Sequence, residues 1–224
     1  MDLALFDFDG TITTHDTFRP FLSFAGGRAR MALGTALLGP MVIGYELGWI
    51  HASRMRAAAA YLCCRGRPER ELRELGARYG QTLTRLFRPE ALERIRWHKE
   101  RGDTVVVVSA SLKPYLEDLC RGLELELVCT ELEARGGVLT GRYLGGDCTG
   151  PEKARRVRAA HDLARYSTIH AYGDTREDAE LLELATRRYY RWRELPAEGG
   201  VLRERLGTHP PTASAQRPGN NSQA

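Results

Sequence analysis

The sequence predicts an α/β protein: a Rossmann-like core with a parallel sheet, and an all-helical cap inserted after its first strand. Three observations predict it. From residue 89 onward, short β-branched or apolar runs alternate with helix-length stretches, the pattern of parallel strands joined by crossover helices. An apolar run at 3–8 stands apart from these, followed by a stretch, 16–87, that reads only as helix. Three of the strand-like runs end in carboxylates or hydroxyls, and in open α/β sheets ligands bind at the carboxyl ends of strands.

Residues 3–8 suit a short buried strand, and Asp9-Gly10-Thr11 turns the chain out of it. Asp16 caps a first helix that ends near Gly26-Gly27. Residues 28–50 read as a second helix and 53–64 as a third, and Pro68 opens a fourth. Helix 89–101 begins at Pro89 and stops at Gly102. Residues 103–109 hold four consecutive valines, Val105 to Val108, as buried parallel strands do. Helix 113–120 and strand 125–130 follow. Gly136-Gly137 separates the runs 132–135 and 138–143, which predicts a hairpin. Helix 151–163, strand 167–172, helix 176–185 and strand 188–192 complete the core. The core is thus expected at 1–15 and 88–207 and the cap at 16–87. The tail at 208–224, rich in Pro, Ser, Asn and Gln without apolar periodicity, is expected to be disordered.

A chain of 224 residues buries about 70% of its unfolded surface, so folding needs neither disulfides nor a metal. The 33 basic residues divide into 30 Arg and three Lys (Lys99, Lys113, Lys153), for a net charge of +4. Arg is spread along the chain without a nucleic-acid-binding motif, so no nucleic-acid partner is expected. A mildly basic surface suits anionic substrates or anionic lipid. The five Cys (63, 64, 120, 129 and 148) are odd in number and show neither C-x-x-C nor zinc-site spacing. Reduced thiols and a cytoplasmic location are expected, in keeping with a start, Met1-Asp2-Leu3, that lacks the basic region of a signal peptide.

The densest chemistry lies in Phe6-Asp7-Phe8-Asp9-Gly10-Thr11. A continuing strand puts Asp7 and Asp9 on one face, whereas the glycine turn re-aims Asp9. In either case, two adjacent carboxylates need a cation or a shared proton. Taken alone, the segment also fits a strand ending in a polar turn. Ser109, in Ser109-Ala110-Ser111, ends the valine run; its hydroxyl either meets a phosphate oxygen beside the next helix or caps that helix. Lys153, near the start of helix 151–163, offers a compact ammonium to an anion cluster, although most lysines in such places are solvated. Tyr172-Gly173-Asp174-Thr175-Arg176-Glu177-Asp178 brings carboxylates to a third strand end. Asp174 beside Asp7 makes an oxygen-only site of the kind that suits Mg²⁺, and Asp178 lies one helical turn on.

In this order, D-x-D-G-T, a strand-ending Ser, Lys and G-D-T-x-x-D resemble the haloacid dehalogenase superfamily over about residues 2–190. The helical insertion, Ser109-Ala110-Ser111, Leu139-Thr140-Gly141-Arg142 and the run Cys148 to Lys153 are similar to its phosphoserine-phosphatase-like branch. The resemblance implies a Mg²⁺-dependent phosphatase acting on a small phosphorylated metabolite. It implies Asp7 as the nucleophile that forms an aspartyl-phosphate, and Asp9 as general acid and then base. It places Mg²⁺ on Asp7, the Asp9 backbone carbonyl and Asp174, with Asp178 behind them. It puts Gly10, Thr11, Ser109, Ala110 and Lys153 around the phosphoryl group and Asp16 toward the rest of the substrate.

Two departures argue against phosphoserine itself. The branch usually has Ser-Gly-Gly where this chain has Ser109-Ala110-Ser111, and a Glu reads the ammonium group where this chain has Asp16, one methylene shorter. Transfer of the phosphoryl group to an acceptor alcohol stands as an alternative. A receiver-type phosphoacceptor module lacks both the second carboxylate and the large cap.

Residues 31–50 carry a single charge, Glu46, over a length of ~30 Å, and are interrupted by Gly34, Gly39, Pro40, Gly44 and Gly48. The segment reads first as cap core, second as a lipid-facing surface and third as a transmembrane span. Peripheral membrane contact through 31–50, with a lipid phosphate of the phosphatidylglycerophosphate type as substrate, is therefore a second alternative; some enzymes of the branch act on that lipid. His15 reads as a solvated loop residue, Arg19 and Arg54 as candidates for a second substrate anion, and 189–192 as a buried strand with one polar face.

Overall fold

The computed structural model describes residues 1–196; the side chains at 28, 29, 31–33, 35 and 46 lie outside that description, as does the tail expected at 208–224. The chain runs β1 (Leu3–Phe6), α1 (Phe18–Glu46), α2 (Ala52–Cys64), α3 (Glu69–Thr82), α4 (Pro89–Glu100), β2 (Thr104–Leu112) and α5 (Lys113–Gly122). It continues through β3 (Glu126–Arg135), β4 (Val138–Leu144), α6 (Pro151–Ala160), β5 (Ile169–Gly173), α7 (Ala179–Glu183), β6 (Arg187–Tyr190) and β7 (Arg193–Leu195).

The sheet order is β4-β3-β2-β1-β5-β6-β7, parallel from β3 to β6 with an antiparallel strand at each edge. Both faces of the central strands are buried. Ala4, Phe6, Val105 and Val107 point into one core with Ile95, Tyr115 and Leu116. Leu3, Leu5, Val106 and Val108 point into the other with Val157, Leu181 and Leu182. The two-residue period of a strand makes this split, and helices on both sides make the runs continuously apolar. The chain winds from β1 outward to β3, then returns to lay β5 on the other side of β1, so a crevice opens at the carboxyl ends of β1, β2 and β5.

The helical insertion after β1 is as predicted, and a break at Gly27 (φ 69°, ψ 167°) divides α1 near the expected boundary. Its two connections run side by side: Thr14 N donates to Leu86 O (2.9 Å), and Arg88 N donates to Ile12 O (2.9 Å). The α3 helix packs directly on α5 of the core. Gly76 and Gly80, one turn apart, admit this approach: a Cβ at Gly76 would stand 2.2 Å from Pro114 O. Among the described residues, no helix is long and apolar enough to cross a membrane.

Three local readings are corrected. The strand at 125–130 and the hairpin arm at 132–135 form one strand, β3, which pairs in parallel with β2 and then antiparallel with β4. The helix expected at 176–185 is a 3₁₀ turn over Arg176–Asp178 followed by α7. The strand expected at 188–192 is a hairpin, β6–β7, turning at Arg191-Trp192, both with positive φ (50° and 63°).

Candidate active site

Asp7 follows the last residue of β1, and its N–H donates to Tyr172 O of β5 at 2.9 Å. A wide turn over Phe8–Ile12 then reverses the chain through Gly10 (φ 85°). This turn parts the two carboxylates. Asp7 faces β5 and α6, where Lys153 Nζ donates to Asp7 Oδ1 at 2.5 Å. Asp9 instead faces the start of the cap. Its Oδ1 accepts from Thr17 N (2.7 Å) and Thr17 Oγ1 (2.6 Å), and its Oδ2 from Ser111 Oγ.

Lys153 also donates to Asp178 Oδ1 at 2.6 Å. Asp178 Oδ2 accepts from Asp174 N (3.1 Å), Thr175 N (2.9 Å) and Thr175 Oγ1 (3.0 Å), so both oxygens of Asp178 hold the loop and the lysine. Asp174 lies across from the β1 turn: Thr11 Oγ1 donates to its Oδ1 at 3.2 Å, and a Cβ at Gly10 would come within 2.3 Å of its Oδ2. Only glycine fits that contact. Ser109 and Ser111 are fully buried, and Ser109 Oγ accepts from Ser111 N at 3.0 Å; Ala110 is half-buried between them. The strand expected to stop at Ser109 runs on to Leu112 through a register shift, which brings both serines toward the crevice.

Crowded, buried acids govern the electrostatics. Burial, then Asp178, pushes the Asp7 carboxyl above its usual range, and Lys153 pulls it back. Burial and then Asp178 raise Asp174 to about 6. Burial and then Asp16 raise Asp9 to about 6, against the hydrogen bonds from Ser111 and Thr17. Burial opposes the charge of Lys153, but Asp178 and Asp7 outweigh it and raise its pKa. Asp7, Asp174 and Asp178 each bring a carboxylate oxygen within 4.8 Å of the others. This oxygen-only, over-anionic cluster fits a hard divalent cation such as Mg²⁺. The Asp9 side chain is not part of it, being held by Thr17 and Ser111.

Asp16 is exposed, and its Oδ2 accepts from Arg19 N at 3.2 Å at the start of α1. His15 is also exposed and pairs with the neighbouring Thr14 hydroxyl. Sequence reasoning missed Thr17, which receives Tyr79 OH on its carbonyl (3.0 Å) and reaches Tyr115 OH (3.3 Å) while holding Asp9. It also missed Arg56. That residue, rather than Arg54, reaches from α2 to Asp147 and Glu177 on the core rim, each at 3.0 Å. The sole signal for Thr17 was its place beside a predicted helix cap; nothing in the sequence marks Arg56 among 30 arginines.

A doubly covered parallel sheet, a helical insertion after β1 and an acid cluster with one buried lysine at the strand ends define a Rossmann-like hydrolase architecture. The chain belongs to the haloacid dehalogenase-like hydrolases, whose family model matches residues 4–183. It is 31% identical over 192 residues to protein CicA of Caulobacter vibrioides (strain NA1000 / CB15N), covering 84% of this chain and 85% of that protein. Among solved structures, a protein of unknown function from Bordetella pertussis Tohama I superposes with a TM-score of 0.68 at 23% identity, covering 84% and 89% of the two chains. A substrate-bound phosphoserine phosphatase superposes with a TM-score of 0.56 at 18% identity, covering 84% and 85%. These structural likenesses are likenesses of fold.

Proposed function

We propose that the protein is a Mg²⁺-dependent phosphatase that hydrolyses a small phosphomonoester through an aspartyl-phosphate. One observation carries this reading. Two carboxylates two residues apart are split between two environments: Asp7 on a buried ammonium in an acid cluster, Asp9 on two hydroxyls with a pKa of about 6. That division suits a nucleophile and a proton carrier, because a pKa near neutrality lets one group give and then take a proton.

In this reading an Asp7 oxygen attacks phosphorus, and the bond from phosphorus to the leaving oxygen breaks. Protonated Asp9 gives its proton to the departing alkoxide. The resulting Asp9 carboxylate then takes a proton from the water that attacks phosphorus, returning Asp7 free and releasing inorganic phosphate. Lys153 balances charge on the transferring group, and the Ser109 hydroxyl with the Gly10–Thr11 turn positions its oxygens. Asp7, Asp174 and the Asp9 carbonyl would hold Mg²⁺, which supplies positive charge that offsets repulsion between the carboxylate and the phosphate dianion. Asp178 anchors Lys153 and the Asp174 loop. Five free, buried thiols fit a reducing compartment.

The test is Mg²⁺-dependent phosphate release from a panel of amino-acid, sugar, nucleotide and lipid phosphates. Wild-type protein is expected to turn over at least one class, and Asp7→Asn to lose at least ~10³-fold with its circular dichroism unchanged. Release by Asp7→Asn at the wild-type rate would overturn the reading.

A further inference from the structure

The outward face of the cap's long helix has the wrong chemistry for water. From residue 36 to 49, the exposed side chains and glycine among the described residues are Ala36, Leu37, Pro40, Val42, Ile43, Leu47, Gly48 and Trp49. None is polar. Ala36, Pro40, Ile43 and Leu47 follow helical spacing on one face, opposite Gly34 and Met41 on the more sheltered side. Leu37 is 56% exposed, Ile43 60%, Leu47 56% and Trp49 79%. This apolar surface is built in place. Trp49 N and Ile50 N both donate to Gly44 O (2.8 and 3.1 Å), closing the tip and presenting the Trp49 ring outward. Gly44 admits Ile50 against the helix, since a Cβ there would lie 2.9 Å from Ile50 Cδ1.

Charge identifies the occupant. Of the chain's 33 basic and 29 acidic residues, residues 18–67 hold seven Arg and one acid, Glu46. Residues 18–67 thus carry more than the whole +4 of the protein, and the remainder is slightly acidic. Apolar residues with a tryptophan at the tip, on a segment of net positive charge, match the boundary between headgroups and acyl chains in an anionic bilayer. Arg54 stands exposed one turn into α2, beside the tip. Arg56, two residues on, ties α2 to Asp147 and to Glu177, the neighbour of Asp178.

We propose that residues 36–54 form a docking surface for an anionic lipid bilayer. Trp49, Ile43, Leu47 and Leu37 enter the interface, and Arg54 meets the headgroups. The helix lies on the membrane rather than crossing it. The proposal does not rest on the reaction assigned to the site.

The experiment is co-sedimentation of the full chain with vesicles of phosphatidylglycerol mixed with phosphatidylcholine, and with phosphatidylcholine alone. Wild-type protein is expected to bind the mixed vesicles at least ~10-fold more tightly than the neutral ones, and to be released by salt. Ile43→Ser combined with Trp49→Ala is expected to weaken binding at least ~10-fold, with an unchanged circular dichroism melt showing that the fold persists. Arg54→Glu is expected to weaken binding to the anionic vesicles alone. Three results would each overturn the proposal: no binding by wild type, equal binding by the double variant, or self-association of wild type that the double variant abolishes while vesicles go unbound. The last would assign the face to a second copy of the chain. Phosphate release is not a readout here, so failure of the phosphatase reading and failure of docking are separately visible.

Discussion

Lys153 shows how one side chain supports both fold and site. Its ammonium is buried between Asp7 (2.5 Å) and Asp178 (2.6 Å), so three groups that are each unfavourable alone in an apolar interior neutralise most of one another's charge. Lys153→Met is expected to leave two buried carboxylates without their cation and to lower unfolding stability by ~3–5 kcal/mol, read from the urea midpoint. A loss below ~1 kcal/mol would mean that the carboxylates find other partners. Sequence reading singled out Asp7, Asp174 and Asp178 by their place at or just after strand ends, and Lys153 by its rarity in an Arg-rich chain and by the family resemblance. It did not assign Ser111 to Asp9, a partnership 102 residues long, or foresee that Thr17 would supply both a hydroxyl and a backbone N–H.

Elements formed where local chemistry and tertiary need agreed. The valine run at 105–108 is a strand by side-chain shape and by burial on both faces. The β6–β7 hairpin escaped notice because its two turn residues, Arg191 and Trp192, adopt left-handed conformations that normally announce themselves as Asn-Gly. The contact of α3 with α5 was equally silent: Gly76 and Gly80 look like helix-weakening residues until Pro114 and Tyr115 are placed against them. Gly76→Ala improves helix propensity yet forces the helices apart. It is expected to destabilise by ~1–3 kcal/mol in urea unfolding, whereas the same change at Gly39, where nothing lies within 4 Å, is expected to cost nothing.

For the whole molecule, pH acts through a buried network that joins the end of α4 to Tyr172 of β5. His98 is fully buried; its Nδ1 pairs with Asp103 (2.9 Å) and its Nε2 with Tyr172 OH (3.0 Å). Burial lowers its pKa to about 4, against the pull of Asp103. The unfolded chain, with His98 near 6.5, therefore binds the proton first as pH falls. This contribution is complete above about pH 6.5, is lost between there and about pH 4, and amounts to ~3 kcal/mol. Wild type is expected to lose more stability between neutral pH and pH 4.5 than His98→Gln, in urea titrations at both pH values. Equal losses would remove His98 from the explanation.

By itself the sequence determined the fold class, the helical insertion after β1 and the candidate site residues, because these follow from local periodicity, strand-end position and side-chain type. The tertiary structure alone decided which surroundings each of those residues meets. The turn through Gly10 sends Asp7 to Lys153 and Asp9 to Thr17 and Ser111, and two carboxylates of one type acquire different surroundings. It also decided which apolar residues are core. Residues 31–50 read first as cap interior, yet Leu37, Ile43, Leu47 and Trp49 stand in solvent. Hydropathy records that a side chain avoids water, and only packing records whether the protein itself provides the shelter.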